Sequence, residues 1–241
     1  MAVQLDIVAE TGSTNADLLA RLAEGLVVHE GYWLIADRQT RGRGRHGRQW
    51  LDAPGNFMGS TVVHLDPNGP PPASLSFAAA LALYETAAGL LPDPSKLQLK
   101  WPNDVLLKGA KFCGILLECE GSHAVIGIGV NLVSAPALAD RDTSSLAESG
   151  ALSDRDLFAR ELAMHFEGEL RRWRNLGTET LFRRWQAAAH QPGIQLSVHD
   201  EKGEVLNGTY EGLAPDGALR LRLADGSTRV IHAGDVMLEA R

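Results

Sequence analysis

The sequence predicts an α/β fold of the α+β kind, with a mostly antiparallel sheet, followed by a small all-β unit. Three observations carry that prediction. Strand-length apolar runs alternate with helical patterns as far as about residue 189. One helical run, Ala73 to Leu91, is almost uncharged, and such a helix is stable only when covered on all sides. After His190 the helical period stops, and β-type segments are punctuated by Pro215-Asp216-Gly217 and Asp225-Gly226. Asp-Gly between such segments is a hairpin signal. The expected division is 1–189 and 190–241, the second part being a barrel of about five strands.

In order along the chain, Gln4 to Val8 alternates as a short strand. Ser13, Thr14 and Asn15 offer helix N-caps ahead of a Leu18, Leu19, Leu22 stripe, which Gly25 closes. Tyr32 to Ala36 and Phe57 to Leu65 read as strands, with 39–50 between them as a loop rich in glycine and arginine. Pro70 to Pro72 breaks the chain before the apolar helix. Three strands are expected next, Leu97–Trp101, Phe112–Cys119 and Ala124–Leu132. Helices are expected over about 153–175 and 178–189, and Gln191-Pro192-Gly193 is a turn leading into the β unit. No internal repeat is visible.

Composition narrows the function classes. With 241 residues, 44% apolar and 22% charged, the chain is neither collagen-like nor disordered, and it is long enough for a sizeable core. No run reaches the ~20 apolar residues of a membrane span. Met1 to Glu10 carries two acids and no basic segment, so no signal peptide is expected. Cys113 and Cys119 fall on one predicted strand, about 20 Å apart, too far for a disulfide. Free thiols point to a reducing cytoplasm. The scattered histidines and absent cysteine pairs argue against a bound transition metal. The net charge of −7 disfavours generic nucleic-acid or anionic-membrane binding. Yet five arginines fall between Arg38 and Arg48 with no acid among them.

That segment, Gly42-Arg43-Gly44-Arg45-His46-Gly47, matches a dinucleotide-binding glycine string. Such a site needs a helix starting within the motif, and Arg48-Gln49-Trp50-Leu51-Asp52-Ala53-Pro54-Gly55 starts none. The remaining reading is a loop that wraps a polyphosphate or acyl phosphate, with guanidinium forks and inward glycine amides. A solvated or nucleic-acid-binding loop is the plainer alternative.

Three further strings carry chemistry. Lys100-Trp101-Pro102-Asn103-Asp104 suits a tight turn, but Asp104 is also a candidate carboxylate for the Mg²⁺ of a nucleotide. In Ile126-Gly127-Ile128-Gly129-Val130-Asn131 the apolar side chains share one strand face, while Gly127, Gly129 and Asn131 share the other. Bare backbone on one face favours a flat ligand lying there, a bulge being the alternative. Strict alternation places Lys111 opposite Gly114 and Leu116, so all three meet one ligand only through backbone or with Lys111 in the preceding turn.

Ser13-Thr14-Asn15, the Gly42–Trp50 loop, Lys100–Asp104, Lys111-Phe112-Cys113-Gly114-Ile115-Leu116 and Gly127–Asn131, in this order and spacing, resemble the biotin protein ligases. The resemblance is strong over about 10–132 and looser through the helices. It implies a class II aminoacyl-tRNA synthetase-like catalytic domain with a mixed sheet, plus a C-terminal SH3-like barrel. It implies activation of biotin with ATP and Mg²⁺ to biotinyl-5′-adenylate, then transfer to one lysine of a biotin carboxyl carrier protein domain. Lys111, Arg45 and Arg43 are the implied catalytic residues. Biotin is expected against Ser13, Thr14, Asn15, Gln39, Gly42, Arg43, Gly44, Arg45, Lys111, Gly114, Leu116 and Gly127. The nucleotide or adenylate is expected against Arg45, Arg48, Trp50, Asn103, Asp104, Lys111 and Asn131, with Trp50 closing over it.

Lys111 is expected to act electrostatically, with no covalent enzyme intermediate. Bifunctional relatives carry a DNA-binding segment before the Ser-Thr-Asn motif. Here that motif begins at position 13, and no repressor role, DNA or membrane partner is expected. Thr143-Ser144-Ser145-Leu146 fits the family pattern only loosely and is assigned nothing. The oligomeric state stays open, a homodimer included. The rival readings are a lipoate ligase or octanoyltransferase-like enzyme, and a non-enzymatic nucleotide- or RNA-binding module.

Overall fold

A computed structural model describes residues 3–139, 141–151, 154–200 and 204–238. The larger sheet has seven strands: β1 (Gln4–Thr11), β2 (Tyr32–Gln39), β3 (Phe57–His64), β4 (Leu97–Lys100), β5 (Asp104–Leu107), β6 (Ala110–Glu120) and β7 (His123–Val130). Their order is β1-β2-β3-β7-β6-β5-β4, with β1–β2 parallel and every other pair antiparallel. The mixed, mostly antiparallel sheet is therefore as expected. One strand, β5, lies outside the expectation of three strands after the apolar helix. It is only four residues long, and the turn chemistry before it hides its start.

Helix α1 (Thr14–Ala23) lies on one face of the sheet, where Leu18 packs with Val28, Leu34, Val62 and Val125. Helices α2 (Leu75–Ala88) and α3 (Arg155–Ala188) cover the other face and build the main core with Trp33, Phe57, Ile126 and Phe112. Ten of the residues of α2 are buried, so its lack of a polar face is matched by cover on both sides. Asp154 caps α3, accepting from the N–H groups of Asp156 and Leu157. The run is broken at Gly177, whose φ of 73° no helix accommodates, giving the two expected helices end to end.

Beyond α3 a second antiparallel sheet contains β8 (Gln195–Asp200), β9 (Val205–Leu213), β10 (Leu219–Arg222), β11 (Thr228–Ile231) and β12 (Gly234–Leu238). Its order, β11-β10-β9-β8-β12, gives the five strands expected, but β11 and β12 stand as its edges in the described residues and their pairing does not close a barrel. Trp101 Nε1 donates to Gly217 O at 3.1 Å, tying this sheet to the β4–β5 turn. Both cysteines are free, Cys113 in the core and Cys119 exposed; full burial of Cys113 and partial desolvation of Cys119 hold the two thiols above their usual pKa. No described helix is long and apolar enough to cross a membrane.

Candidate active site

On the α1 side of the sheet lies a cavity of about 810 Å³, within the usual range for small-ligand sites. Its floor is the face of β6 and β7 that carries Gly114, Leu116, Gly127 and Gly129. The opposite face of β7, with Ile126, Ile128 and Val130, belongs to the core, as alternation predicts.

Lys111 reaches this floor by a route that alternation does not anticipate. Val105 pairs with Cys113, but Leu106 pairs with Lys111, so Phe112 is an extra residue in β6. The bulge turns both Phe112 and Cys113 into the core and returns Lys111 to the face of Gly114. An added Cβ on Gly114 would lie 3.4 Å from Lys111 Nζ. Lys111 thus meets the glycine face through its side chain, from within the strand.

One end of the cavity is a polar network at the start of α1. Ser13 is the N-cap, its hydroxyl 3.5 Å from Ala16 N. Gln39 Oε1 accepts from Thr14 N–H at 2.8 Å and lies 3.2 Å from Thr14 Oγ1. Ser60 joins them, 2.7 Å from Thr14 Oγ1, and donates to Asn15 Oδ1 at 2.8 Å. Asn15 in turn donates to Glu118 at 2.9 Å. Thr14, Asn15, Gln39 and Ser60 are all buried, so the bonds among these four are made away from bulk water.

The arginine segment is an ordered hairpin, where sequence composition suggested a flexible loop. Trp50 N–H donates to Gly42 O at 3.0 Å, Gly44 N–H to Arg48 O at 2.8 Å, and Arg43 pairs with Gln49. A Cβ on Gly42 would stand 2.6 Å from Trp50 O, so this glycine permits the hairpin to close. Gly42 is not among the residues that line the cavity, and its place in the structure is this closure of the hairpin. Three arginines then staple the hairpin over the site. Arg43 donates to Glu118 of β6 at 2.9 Å, Arg45 to Asn103 Oδ1 at 3.0 Å, and Arg48 to Asp235 of β12.

The glycine face is filled by the protein's own side chains. A Cβ on Gly127 would lie 2.5 Å from Asn15 Oδ1, and one on Gly129 would lie 2.4 Å from Trp50 Cε2. Gly114 and Gly129 are cross-strand partners, and together they form the platform on which the Trp50 indole rests. The flat group against the platform is therefore Trp50 itself. Two buried polar atoms at the site lack a hydrogen-bond partner, Trp50 Nε1 and Asn131 Oδ1. An orphaned buried amide oxygen is costly unless a ligand donor meets it. Asn131 is otherwise fixed, donating from Nδ2 to Ser144 O at 3.2 Å and accepting from Leu146 N–H at its backbone oxygen.

Lys111 Nζ lies 2.6 Å from Asp104 Oδ1, and Lys100 Nζ lies 3.9 Å from Asp104 Oδ2. Burial pushes the Lys100 pKa down, with Lys111 and Arg141 adding to the effect against the opposing pull of Asp104. A carboxylate already faced by two ammonium groups does not fit a metal ion, so the expectation of Mg²⁺ on Asp104 is not carried forward. Among the described residues no three of the His, Cys, Asp and Glu side chains gather as a metal site.

Apart from Gly42, every site residue expected from sequence lines this one cavity. Sequence reasoning gave no ligand role to Ser60, Lys100 and the C-terminal residues His199, Asp235 and Met237, which line it too, nor to Glu118, which holds the lining residues Asn15 and Arg43 from beside the cavity. Ser60 was signalled by a polar residue inside an apolar strand, and Glu118 by continuing the Gly114–Leu116 alternation. Nothing in the sequence signals Asp235. Arg141, Asp142 and Thr143, the last of them in the unassigned Thr143–Leu146 string, line the cavity beside Lys111, whose N–H donates to Asp142 O and whose carbonyl accepts from Ser144 N–H.

The chain is similar to known proteins along nearly its whole length. Residues 13–131 match the Biotin/lipoate A/B protein ligase family, and 195–238 match the Biotin protein ligase C terminal domain. A biotin--[acetyl-CoA-carboxylase] ligase from Mycobacterium tuberculosis is 40% identical, covering 97% of this chain and 88% of the relative. The Paracoccus denitrificans enzyme of the same name is 39% identical over 95% of this chain and 98% of its own length. Among solved structures, a biotin protein ligase from Aquifex aeolicus in complex with biotin and ATP superposes with a TM-score of 0.84 at 24% identity, covering 99% of each chain. With both segments matched and two relatives near 40% identity over almost the whole chain, this protein belongs to the biotin protein ligase family.

Proposed function

We propose that this chain activates biotin with ATP to biotinyl-5′-adenylate and transfers the biotinyl group to a lysine of a biotin carboxyl carrier protein domain. One observation carries the reading. A single cavity joins a buried polar end at Thr14 and Gln39 to a cationic middle at Arg43, Arg45 and Lys111, and then to the indole platform and the orphaned Asn131 acceptor. That sequence of surfaces matches a ring with N–H and C=O groups, then a carboxylate meeting a phosphate, then an aromatic base.

In the first step a biotin carboxylate oxygen attacks the α-phosphorus and pyrophosphate leaves. Both reactants are anions, and preorganised cations lower their repulsion and stabilise the charge that builds between them. Lys111 is the electrostatic group at this point, and the 2.6 Å contact to Asp104 holds its ammonium in place. Magnesium enters with ATP as part of the substrate. In the second step the carrier lysine's amine attacks the acyl carbon and AMP leaves. The acyl adenylate hydrolyses if exposed, and the stapled hairpin is suited to keeping water from it. We retain 1–189 as the catalytic part and 190–241 as the C-terminal part, which contributes Asp235 to holding the hairpin. The two free cysteines favour a cytoplasmic setting.

Incubation with ATP, Mg²⁺, a carrier domain and either biotin or lipoate tests the proposal by mass spectrometry of the carrier. Biotin should add its mass to one lysine, and lipoate should add nothing. Transfer of lipoate alone assigns the chain to the lipoate side of the family and overturns the reading.

A further inference from the structure

Glu118 stands beside the cavity and holds one lining residue from each half of it with a single carboxylate. Its Oε2 accepts from Asn15 Nδ2, and its Oε1 accepts from Arg43, each at 2.9 Å. An ionised carboxylate can only accept, and this fixes more than two contacts. Asn15 must turn its NH₂ toward Glu118, which leaves its Oδ1 facing Ser60 and Gly127. Ser60 must then give its single proton to Asn15, so in its 2.7 Å contact with Thr14 it accepts. Thr14 has one hydroxyl proton and two acceptors within reach, Ser60 Oγ at 2.7 Å and Gln39 Oε1 at 3.2 Å; with the Ser60 proton already given to Asn15, the shorter contact needs the Thr14 proton and takes it. The result is a chain running one way, from Thr14 through Ser60 and Asn15 to Glu118. At its far end stand two oxygens, Thr14 Oγ1 and Gln39 Oε1, 3.2 Å apart, with Thr14's only hydroxyl proton already committed. That end of the cavity presents acceptors, and it is complementary to a ligand N–H.

We infer that Glu118 is a positioning residue that sets the direction of this hydrogen-bond chain, making the ring-binding end select an N–H donor, while its other oxygen aims Arg43 at the cavity. The inference rests on the reading of Thr14 and Gln39 as the biotin-ring end. A guanidinium has five N–H donors, and the bond to Glu118 uses one nitrogen of Arg43, orienting the group without consuming it. Glutamine at this position cannot reproduce the arrangement. Its amide offers one oxygen, so it accepts from Asn15 or from Arg43 and turns a donor on the other.

The test is biotin-dependent exchange of pyrophosphate into ATP, read as separate kcat and KM for biotin. Glu118→Gln should raise the KM for biotin about tenfold, with kcat falling by less than KM rises. Glu118→Asp keeps an acceptor-only group, and its KM should lie between those of the glutamine variant and the wild type. In a Ser60→Ala background the chain is already cut, so the effect of Glu118→Gln on KM should shrink at least threefold. Unchanged KM in Glu118→Gln, equal KM in the Asp and Gln variants, or strictly additive effects with Ser60→Ala would each overturn the inference. Absence of exchange in the wild type would instead remove the functional reading beneath it.

Discussion

Gly129→Ala isolates the part of the site that packing alone builds. The added Cβ would stand 2.4 Å from Trp50 Cε2 and 2.5 Å from Cζ2, whereas ordinary contact begins at 3.4 Å. The indole must therefore retreat by about 1 Å, or the strands must part. Gly129 pairs with Gly114 on one side and Met58 on the other, within a three-strand ladder, so the backbone is the stiffer partner. Trp50 sits at the end of a hairpin and yields first. Displacing a positioning group by ~1 Å costs on the order of 100-fold in rate, while expelling a side chain from a cavity wall costs only about 1–3 kcal/mol of stability. Gly129→Ala should accordingly lower kcat/KM for ATP in pyrophosphate exchange about 100-fold in a protein that still unfolds cooperatively. In a Trp50→Ala background the same substitution should add little, because the clashing ring is gone. Gly168→Ala, in α3 with nothing within 4 Å of its added Cβ, is the control and should be neutral or stabilising by up to ~1 kcal/mol. Wild-type exchange kinetics in Gly129→Ala, or additive effects with Trp50→Ala, would refute the platform argument.

Other substitutions probe the cationic part. Lys111→Ala should reduce exchange by about 10²–10³-fold, the usual loss when one preorganised donor is removed, with the thermal midpoint little changed; near-wild-type exchange contradicts its electrostatic role. Arg45→Gly removes the 3.0 Å bond to Asn103 and should speed release of the adenylate ten- to a hundred-fold, measured by retention of labelled intermediate on a desalting column. Asp235→Asn tests the tie between hairpin and C-terminal sheet. Burial pushes the Asp235 carboxyl up, but the hydrogen bond and charge of Arg48, with Arg45 and His46 nearby, outweigh it and hold the pKa below the usual range. A lowered carboxylate pKa stabilises the fold above the unfolded-state value and is lost as pH falls through the folded-state one. The stability gap between wild type and Asp235→Asn, measured by urea unfolding, should be steady near neutrality and close below about pH 4. A gap that widens on acidification contradicts the sign of this argument.

Much of the site was legible because strand alternation is strict. Gly127, Gly129 and Asn131 fall on the cavity face and Ile126, Ile128 and Val130 in the core, as a period of two requires. The same rule misplaced Lys111, since the bulge at Phe112 leaves no mark in residue types. The hairpin over 42–50 was hidden for a related reason. Its order comes from backbone bonds and from Arg43, Arg45 and Arg48 finding partners far along the chain at Glu118, Asn103 and Asp235. Local composition reports the charges and not their partners. Bare glycines on one face did signal a flat group, but whether that group is a ligand or the chain's own indole is a tertiary fact. β5 escaped notice because one aspartate and three apolar residues, bounded by turns on both sides, are too few to display a period.

The central claim is that the polar end, the cationic hairpin and the indole platform form one adenylate-making site. It is tested most directly by exchange of labelled pyrophosphate into ATP with the purified chain and no carrier. The account predicts exchange that requires biotin and Mg²⁺, is not supported by lipoate, and falls in Lys111→Ala and Gly129→Ala. Exchange that proceeds without biotin, or none under any of these conditions in a folded protein, would contradict it.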